Sequence, residues 1–385
     1  MLNFRLILTV SLVVALLGHI LLYFTLVRFF GISKKAQKRG LAGLLAFLYI
    51  SEMLASYAAH LYDNALTRAY YFFGWSWLGL FLYLLMAAIA CWLVLGMARL
   101  TGHRLNTVVT GALLFSIAFA YSVYGTWNAT NPQVTDVRVS IKGLPDNWKG
   151  KTIVQLSDVH LGFVYRADFL SRVVAEVNGL RPDMVVITGD LFDGMDGDLD
   201  VLVEPLNNLR APEGVYFITG NHENFLGVDK AYSVLKKTGV TVLNDEVRDI
   251  DGLQLVGISY PQRGMRDPKI PGRILKTLPG FVPGKPTVLL FHAPVFINEA
   301  RDAGVGLQLS GHTHKGQLFP IWFITERIYK EYAYGLHRLG DYSIYTSSGV
   351  GTWGPPMRTG NTPEIVDIML DQPSDLKQKT TFQGR

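Results

Sequence analysis

KTIVQLSDVH, residues 151–160, decides how the polar part of this chain is read. Lys151 to Ser157 is a short apolar run bounded by polar residues, which suits a buried strand. It stops on Asp158-Val-His160, two side chains spaced two apart that leave a strand on one face. The pattern returns four times downstream. Asp183 to Thr188 (DMVVIT) stops on Gly189-Asp190, and Gly214 to Thr219 (GVYFIT) on Gly220-Asn221-His222-Glu223. Pro286 to Phe291 (PTVLLF) stops on His292, and Gly306 to Ser310 (GLQLS) on Gly311-His312-Thr313-His314. Helix-like stretches at Asp168 to Gly179, Asp200 to Leu209 and Val228 to Lys237 lie between the early strands. That alternation predicts α/β layering. Further strands at Leu253 to Ser259, Tyr342 to Ser347 and Glu364 to Met369 mostly lack intervening helices, which predicts a second sheet packed on the first.

In open α/β sheets ligands sit at the carboxyl ends of strands. Five such ends here supply two Asp, one Asn and up to five His. Imidazole and carboxylate together suit Zn, Fe or Mn. The sole cysteine, Cys91, lies in an apolar run, so neither disulfides nor thiolate clusters are expected. The glycines beside the donors allow the backbone to turn tightly. Each motif alone is common; the five in this order, each after an apolar strand, are specific.

The first third has a different texture. The chain of 385 residues is 49% hydrophobic and 17% charged, against about 25% charged in ordinary globular proteins. Crossing a bilayer takes about 20 apolar helical residues. Four stretches qualify, at about 6–27, 41–62, 69–98 and 105–127, and of these only 41–62 carries an acid, Glu52. The first is too long for a signal peptide and lacks a small-residue cleavage site. Lys34, Lys35, Lys38 and Arg39 follow the first stretch, and Arg99 and Arg104 follow the third. The positive-inside rule then puts those loops in the cytoplasm and everything after Trp127 outside it, in a multi-pass plasma-membrane protein. Glu52, His60 and His19 are ionisable groups at membrane depth, either functional or paired between helices. Tyr70, Tyr71, Trp75 and Trp77 read as an interfacial aromatic belt. The breaker cluster NATNP, 128–132, marks the boundary between a transmembrane domain, 1–131, and a polar domain, 132–371, followed by a mobile tail, 372–385.

The net charge of +5 is unevenly placed. Residues 1–131 hold nine Lys/Arg and two Asp/Glu; residues 132–385 hold 27 and 29. The polar domain is therefore slightly acidic. That argues against a nucleic-acid partner or an external nuclease, which would use a basic groove.

Asp158-x-His160, Gly189-Asp190, Gly220-Asn221-His222-Glu223, His292 and Gly311-His312-Thr313-His314 together resemble the calcineurin-like metallophosphoesterase signature. The resemblance covers about residues 150–370. SGHTHKGQLFP and SSGVGTWGPPMRTGNTPEI are similar to the bacterial membrane-associated branch with YaeI- and YkuE-type phosphodiesterases, to which the UDP-diacylglucosamine hydrolases are related. It implies a four-layer α/β/β/α sandwich. It implies that Asp158, His160 and His314 bind one divalent ion, that Asn221, His292 and His312 bind a second, and that Asp190 bridges both. A metal-bridging hydroxide would then attack phosphorus in a phosphodiester or pyrophosphate. His222 would act as the catalytic residue, touching the phosphate or protonating the leaving oxygen. Glu223 could orient it. Two departures stand out: Lys315 replaces the glycine expected after the last motif, and four spans replace a single anchor. Lys315 reads either as a phosphate-binding cation or as a surface lysine. Asp193 reads as a partner of the ligands or as a loop acid in the DGMDGD run, with the loop reading preferred.

Lys315 to Tyr334 (KGQLFPIWFITERIYKEYAY) is rich in apolar residues and holds Arg327 and Lys330, which suits contact with anionic lipid and a lipid-linked phosphorylated substrate. The alternative from another class is a non-catalytic membrane receptor or regulator that retains the fold; loss of a bridging ligand would favour it, and none is missing.

Overall fold

The computed structural model describes residues 4–194, 197–262 and 275–373. Residues 374–385 of the expected tail, and Met195 and Asp196 of the DGMDGD run, lie outside them. The chain divides into two units, residues 1–127 with 354–357, and residues 128–353 with 358–385.

The first unit is built on four helices, α1 (Phe4–Phe29), α2 (Lys35–Leu61), α3 (Ala65–Leu100) and α4 (Thr107–Ala129), each long and apolar enough to cross a membrane. Helices α1, α2 and α3 are longer than the apolar stretches because flanking residues continue them, and α4 is shifted by two residues. Asn64 caps α3, its side chain accepting from Leu66 N and Thr67 N while Thr67 Oγ1 accepts from Asn64 N. Several of the polar groups inside pair between or within helices, while Ser51 Oγ, Trp75 Nε1 and Ser76 Oγ are buried without a hydrogen-bond partner among the described residues. Trp77 Nε1 donates to His19 Nε2 at 3.3 Å, and the His19 ring stacks on Phe81 with centroids 3.9 Å apart. Trp92 Nε1 donates to Thr25 Oγ1 at 2.8 Å, and Ser56 Oγ donates to Glu52 at 3.2 Å. His19 and Glu52 therefore have local packing partners. Trp77, read as a belt residue, spends its indole N–H on His19 of another helix.

The second unit carries two six-stranded sheets, the layered sandwich expected. One has the order β1 (Gln133–Ser140), β12 (Glu364–Asp371), β2 (Thr152–Leu156), β3 (Met184–Thr188), β4 (Val215–Ile218), β5 (Val240–Val242). The other runs β10 (Gly335–Leu339), β11 (Tyr342–Thr346), β9 (Leu307–Ser310), β8 (Thr287–Phe291), β7 (Leu253–Ile258), β6 (Glu246–Ile250). Strands β2 to β5 are parallel, as are β7, β8, β9 and β11. Parallel sheets must be covered on both faces, and their strands read as continuous apolar runs. The alternation within each strand assigns the layers. Val154, Leu156, Val185 and Ile187 pack against Phe169, Leu170 and Val173 of α5 (Ala167–Leu180). Ile153, Met184 and Val186 face Leu255, Val288, Leu290 and Leu309 of the other sheet. Val256, Leu289 and Phe291 cover Ala300 of α9 (Ile297–Asp302). Helices α6 (Leu199–Val203), α7 (Asn221–Leu226) and α8 (Val228–Leu235) complete the connections near the first sheet, and α10 (Trp322–Tyr329) follows β9. The GNHE motif thus opens a short helix at the end of β4.

One side chain ties the turns at the carboxyl ends of β3 and β4. Glu223 is fully buried and accepts from three backbone N–H groups: Gly220 at 2.6 Å, Asp190 at 3.0 Å and Phe192 at 3.1 Å. Burial and the neighbouring Asp190 charge raise its carboxyl to about 7. Each buried donor left without a partner costs about 1–3 kcal/mol. Glu223→Ala is therefore expected to lower stability by several kcal/mol, and Glu223→Gln, which keeps one acceptor oxygen, by less. Thermal unfolding of the detergent-solubilised chain in chelator tests this; equal midpoints for parent and Glu223→Ala would refute the clamp.

Candidate metal centre

The strand ends bring the seven expected donors together. Asp158 and His160 follow β2, Asp190 follows β3, Asn221 opens α7 after β4, His292 follows β8, and His312 and His314 follow β9. The first group is Asp158, His160 and His314. The Nε2 atoms of His160 and His314 are 3.0 Å apart, and His314 Nε2 lies 3.2 Å from Asp158 Oδ1. The second is Asp190, His292 and His312 with Asn221. His292 Nε2 lies 3.1 Å from Asp190 Oδ2, 3.2 Å from Asn221 Oδ1 and 3.3 Å from His312 Nδ1. Asp190 Oδ2 also stands 4.0 Å from His160 Nε2, so it lies between the two groups.

The backbone is bent to achieve this. Asp158, His160, Asp190, His312 and His314 all have φ between 47° and 71°, the left-handed region that costs a side-chain-bearing residue about 1–3 kcal/mol. Glycine is required where these turns touch. A Cβ on Gly311 would fall 2.2 Å from Asp158 Oδ2, and one on Gly220 would fall 2.1 Å from Asp190 Oδ1.

The electrostatics test whether cations fit. His292 Nδ1 faces the Thr188 carbonyl at 2.8 Å, so it carries the proton there and Nε2 alone faces Asp190, Asn221 and His312. Burial opposes a charge on His292, but Asp190 outweighs it and raises the ring to about 9. Burial likewise opposes ionising Asp190, and His292 outweighs that too, holding the carboxyl well below its usual range. This cluster stabilises a positive charge at Nε2, whether a proton or a cation carries it. Burial, then the neighbouring His292, lowers His312 to about 4, so it is a neutral ligand-capable imidazole at pH 7. Burial also lowers His314 to about 4. The donor set therefore fits hard or borderline divalent ions. Arg358 Nη2 donates to His314 Nδ1 at 3.1 Å, so the His314 proton sits on Nε2 beside Asp158. In both groups a cation must displace a proton from a donor nitrogen, at His292 Nε2 in the second and at His314 Nε2 in the first.

Two residues that sequence reasoning undervalued belong here. Asp193 is no mere loop acid: its Oδ1 lies 3.3 Å from His160 Nδ1 and its carbonyl 3.0 Å from His222 Nδ1. The turn after Asp190 carries it back over β2, which the DGMDGD composition does not reveal. Arg358 is completely buried and donates to Ser348 O, Asn361 Oδ1, Gly351 O and His314 Nδ1. An arginine inside a Gly/Pro-rich run was the available signal. Glu223 does not orient His222; its oxygens are spent on backbone. His222 is set by the Asp193 carbonyl and by ring contacts to Phe225 and Trp353. Lys315 goes elsewhere, its ammonium 3.9 Å from the Tyr334 ring centroid.

Comparison with known proteins agrees with this geometry. The family model described as Calcineurin-like phosphoesterase matches residues 151–316. A transmembrane protein with metallophosphoesterase domain from Danio rerio is 34% identical over 280 residues, 68% of this chain and 62% of that protein. An uncharacterized metallophosphoesterase of Helicobacter pylori is 34% identical over 242 residues, 62% of this chain and 64% of that protein. The match thus spans less than two thirds of either. The uncharacterized metallophosphoesterase YkuE of Bacillus subtilis is 30% identical over 286 residues, 71% of this chain and 99% of that protein. With a near-complete relative at this identity and the signature residues gathered at the strand ends, the chain belongs to the calcineurin-like phosphoesterase family.

Proposed function

We propose that this chain is a membrane-anchored phosphohydrolase that uses two divalent ions, Mn, Zn or Fe, to cleave phosphodiester or pyrophosphate bonds, with lipid-linked phosphates as its substrates. The observation that carries this reading is the convergence of seven buried or half-buried donors from five strand ends into two adjoining groups. Asp158, His160 and His314 would hold one ion, and Asn221, His292 and His312 the other, with Asp190 between them. When bound, such a pair would neutralise charge on the phosphoryl oxygens and acidify water for attack on phosphorus.

The chain's own residues supply the rest. Asp190 is fixed on three sides, its N–H donating to Glu223, Oδ1 accepting from His222 N at 2.8 Å, and Oδ2 facing His292. His222 Nδ1 donates to the Asp193 carbonyl, which leaves Nε2 as the unprotonated nitrogen, the atom that would take up a second proton beside substrate. Burial and His160 lower His222, so it is neutral until a phosphate anion arrives to favour its protonation. It then donates that proton to the leaving oxygen. Phe225 and Trp353, both exposed, flank the His222 ring. Tyr260 and Tyr329 flank His312 with centroids 6.0 and 5.9 Å away. An aromatic rim of this kind suits the apolar part of an amphiphile better than a polyanion. The helices, the loop charges and the relative called a transmembrane protein support a membrane protein with this domain outside the cytoplasm.

Two variants separate the roles. Asp190→Ala should reduce turnover of a chromogenic phosphodiester to background and lower the metal bound per chain, measured by elemental analysis. Undiminished turnover would exclude a bridging role. His222→Ala should keep its metal and lose about 10²–10⁴-fold in turnover. A variant with unchanged turnover, or one that loses metal in parallel, would remove His222 from the proton-transfer role.

A further inference from the structure

Helix α10 begins eight residues after His314 and has two unlike sides. Trp322, Thr325 and Tyr329, spaced three and four apart, form the half-buried side. Tyr329 meets the His312 ring there. The opposite side carries Phe323, Ile324, Arg327 and Ile328. Phe323 is 56% exposed, Ile324 61% and Ile328 64%. Ile321, also exposed, extends the strip. A surface helix in water turns polar residues outward. Here the outward side is apolar with one cation, and Glu326 falls on its flank by the helical step.

We propose that α10 is an interfacial helix whose Phe323, Ile324 and Ile328 insert into a lipid bilayer surface, holding the mouth of the metal centre at the headgroups. The substrate consequence rests on the phosphohydrolase reading; the docking does not. Three observations favour a bilayer as the occupant. Arg327 lies within the apolar face and exposed Lys330 follows it, an arrangement that suits anionic headgroups. Only Thr130, Asn131 and Pro132 join α4 to β1, about 10 Å of chain. A bilayer crossed by α4 is therefore present at high effective concentration, which no soluble partner matches. And α10 contacts His312 on its inner side, so the face that docks and the face that meets the centre belong to one rigid element.

The test uses the full chain with Cys91→Ala, reconstituted in vesicles of phosphatidylcholine and phosphatidylglycerol, three parts to one. A polarity-sensitive fluorophore is placed on Ile324→Cys or, as control, on exposed Lys237→Cys. The Ile324 label should be blue-shifted and quenched several-fold more by doxyl-labelled lipid than the Lys237 label. A Ile324 label that matches the control overturns the proposal. So does one that is shielded yet indifferent to the lipid quencher, since that would signify a protein occupant such as a second copy. In the same vesicles, Ile324→Asp with Ile328→Asp should slow hydrolysis of a lipid phosphodiester by about tenfold, by loss of interfacial attachment. Hydrolysis of a soluble phosphodiester should be unchanged; equal loss on both substrates counts against docking. If the parent cleaves neither substrate, the phosphohydrolase reading fails while the fluorescence still decides the docking.

Discussion

The buried pairing of Asp190 with His292 governs the centre. Neither group is stable as an ion in a low-dielectric interior by itself. Together they sustain a negative carboxylate and a positive charge at His292 Nε2 despite burial that opposes both. This works only if the two side chains arrive from different sheets at fixed separation. Asp190 follows β3 of one sheet and His292 follows β8 of the other. The Thr188 carbonyl, two residues before Asp190, receives His292 Nδ1 and so locks the ring between the sheets. The sandwich therefore positions the cluster through one hydrogen bond across its central layer as well as through hydrophobic packing.

The same arrangement explains where the backbone is strained. Five donor residues adopt left-handed conformations, each disfavoured for a residue with a side chain. Such conformations persist when the surroundings over-determine them. Here the constraint is visible atom by atom. Glu223 holds the Asp190 and Phe192 amides, Asp158 accepts from His312 N at 3.1 and 3.0 Å, and Arg358 holds the 348–361 segment and the His314 ring. The strands behind them are fully buried and cannot shift to relieve the turns. Strain concentrated on donor residues, on rigid strands, is the signature of a site held ready for its ligand.

How much of this could be read beforehand follows from range. Continuous apolar runs such as DMVVIT and PTVLLF announce buried parallel strands, because nothing else needs both faces apolar. The donors were legible because each motif abuts such a run. Edge strands were not: β1, β6 and β10 carry Asp136, Asp249 and Arg338 within them and have partly exposed faces, which weakens the pattern. The roles of Glu223, Asp193 and Arg358 depend on which backbone groups the turns present, and that is tertiary information. Lys315 shows the limit of sequence adjacency. Adjacency to His314 left open both a phosphate-binding cation and a surface lysine; the residue has a left-handed backbone at φ 46° and its ammonium lies over the Tyr334 ring.

Among the described residues, helices α1 to α4 and helix α10 both expose large apolar side chains, and the proposed lipid contact would account for both. Helices α1 to α4 expose leucines, valines and phenylalanines along lengths that match hydrocarbon. Helix α10 exposes the same residue types on one side only and has eight residues, about 12 Å of helix. That is too short to cross a bilayer and the right form to lie in its surface. Water would penalise either arrangement, and a folded domain of this size has ample core in which to bury Phe323, Ile324 and Ile328. That they remain outside, on the helix whose other side touches His312, is what the proposed interfacial docking of α10 would explain.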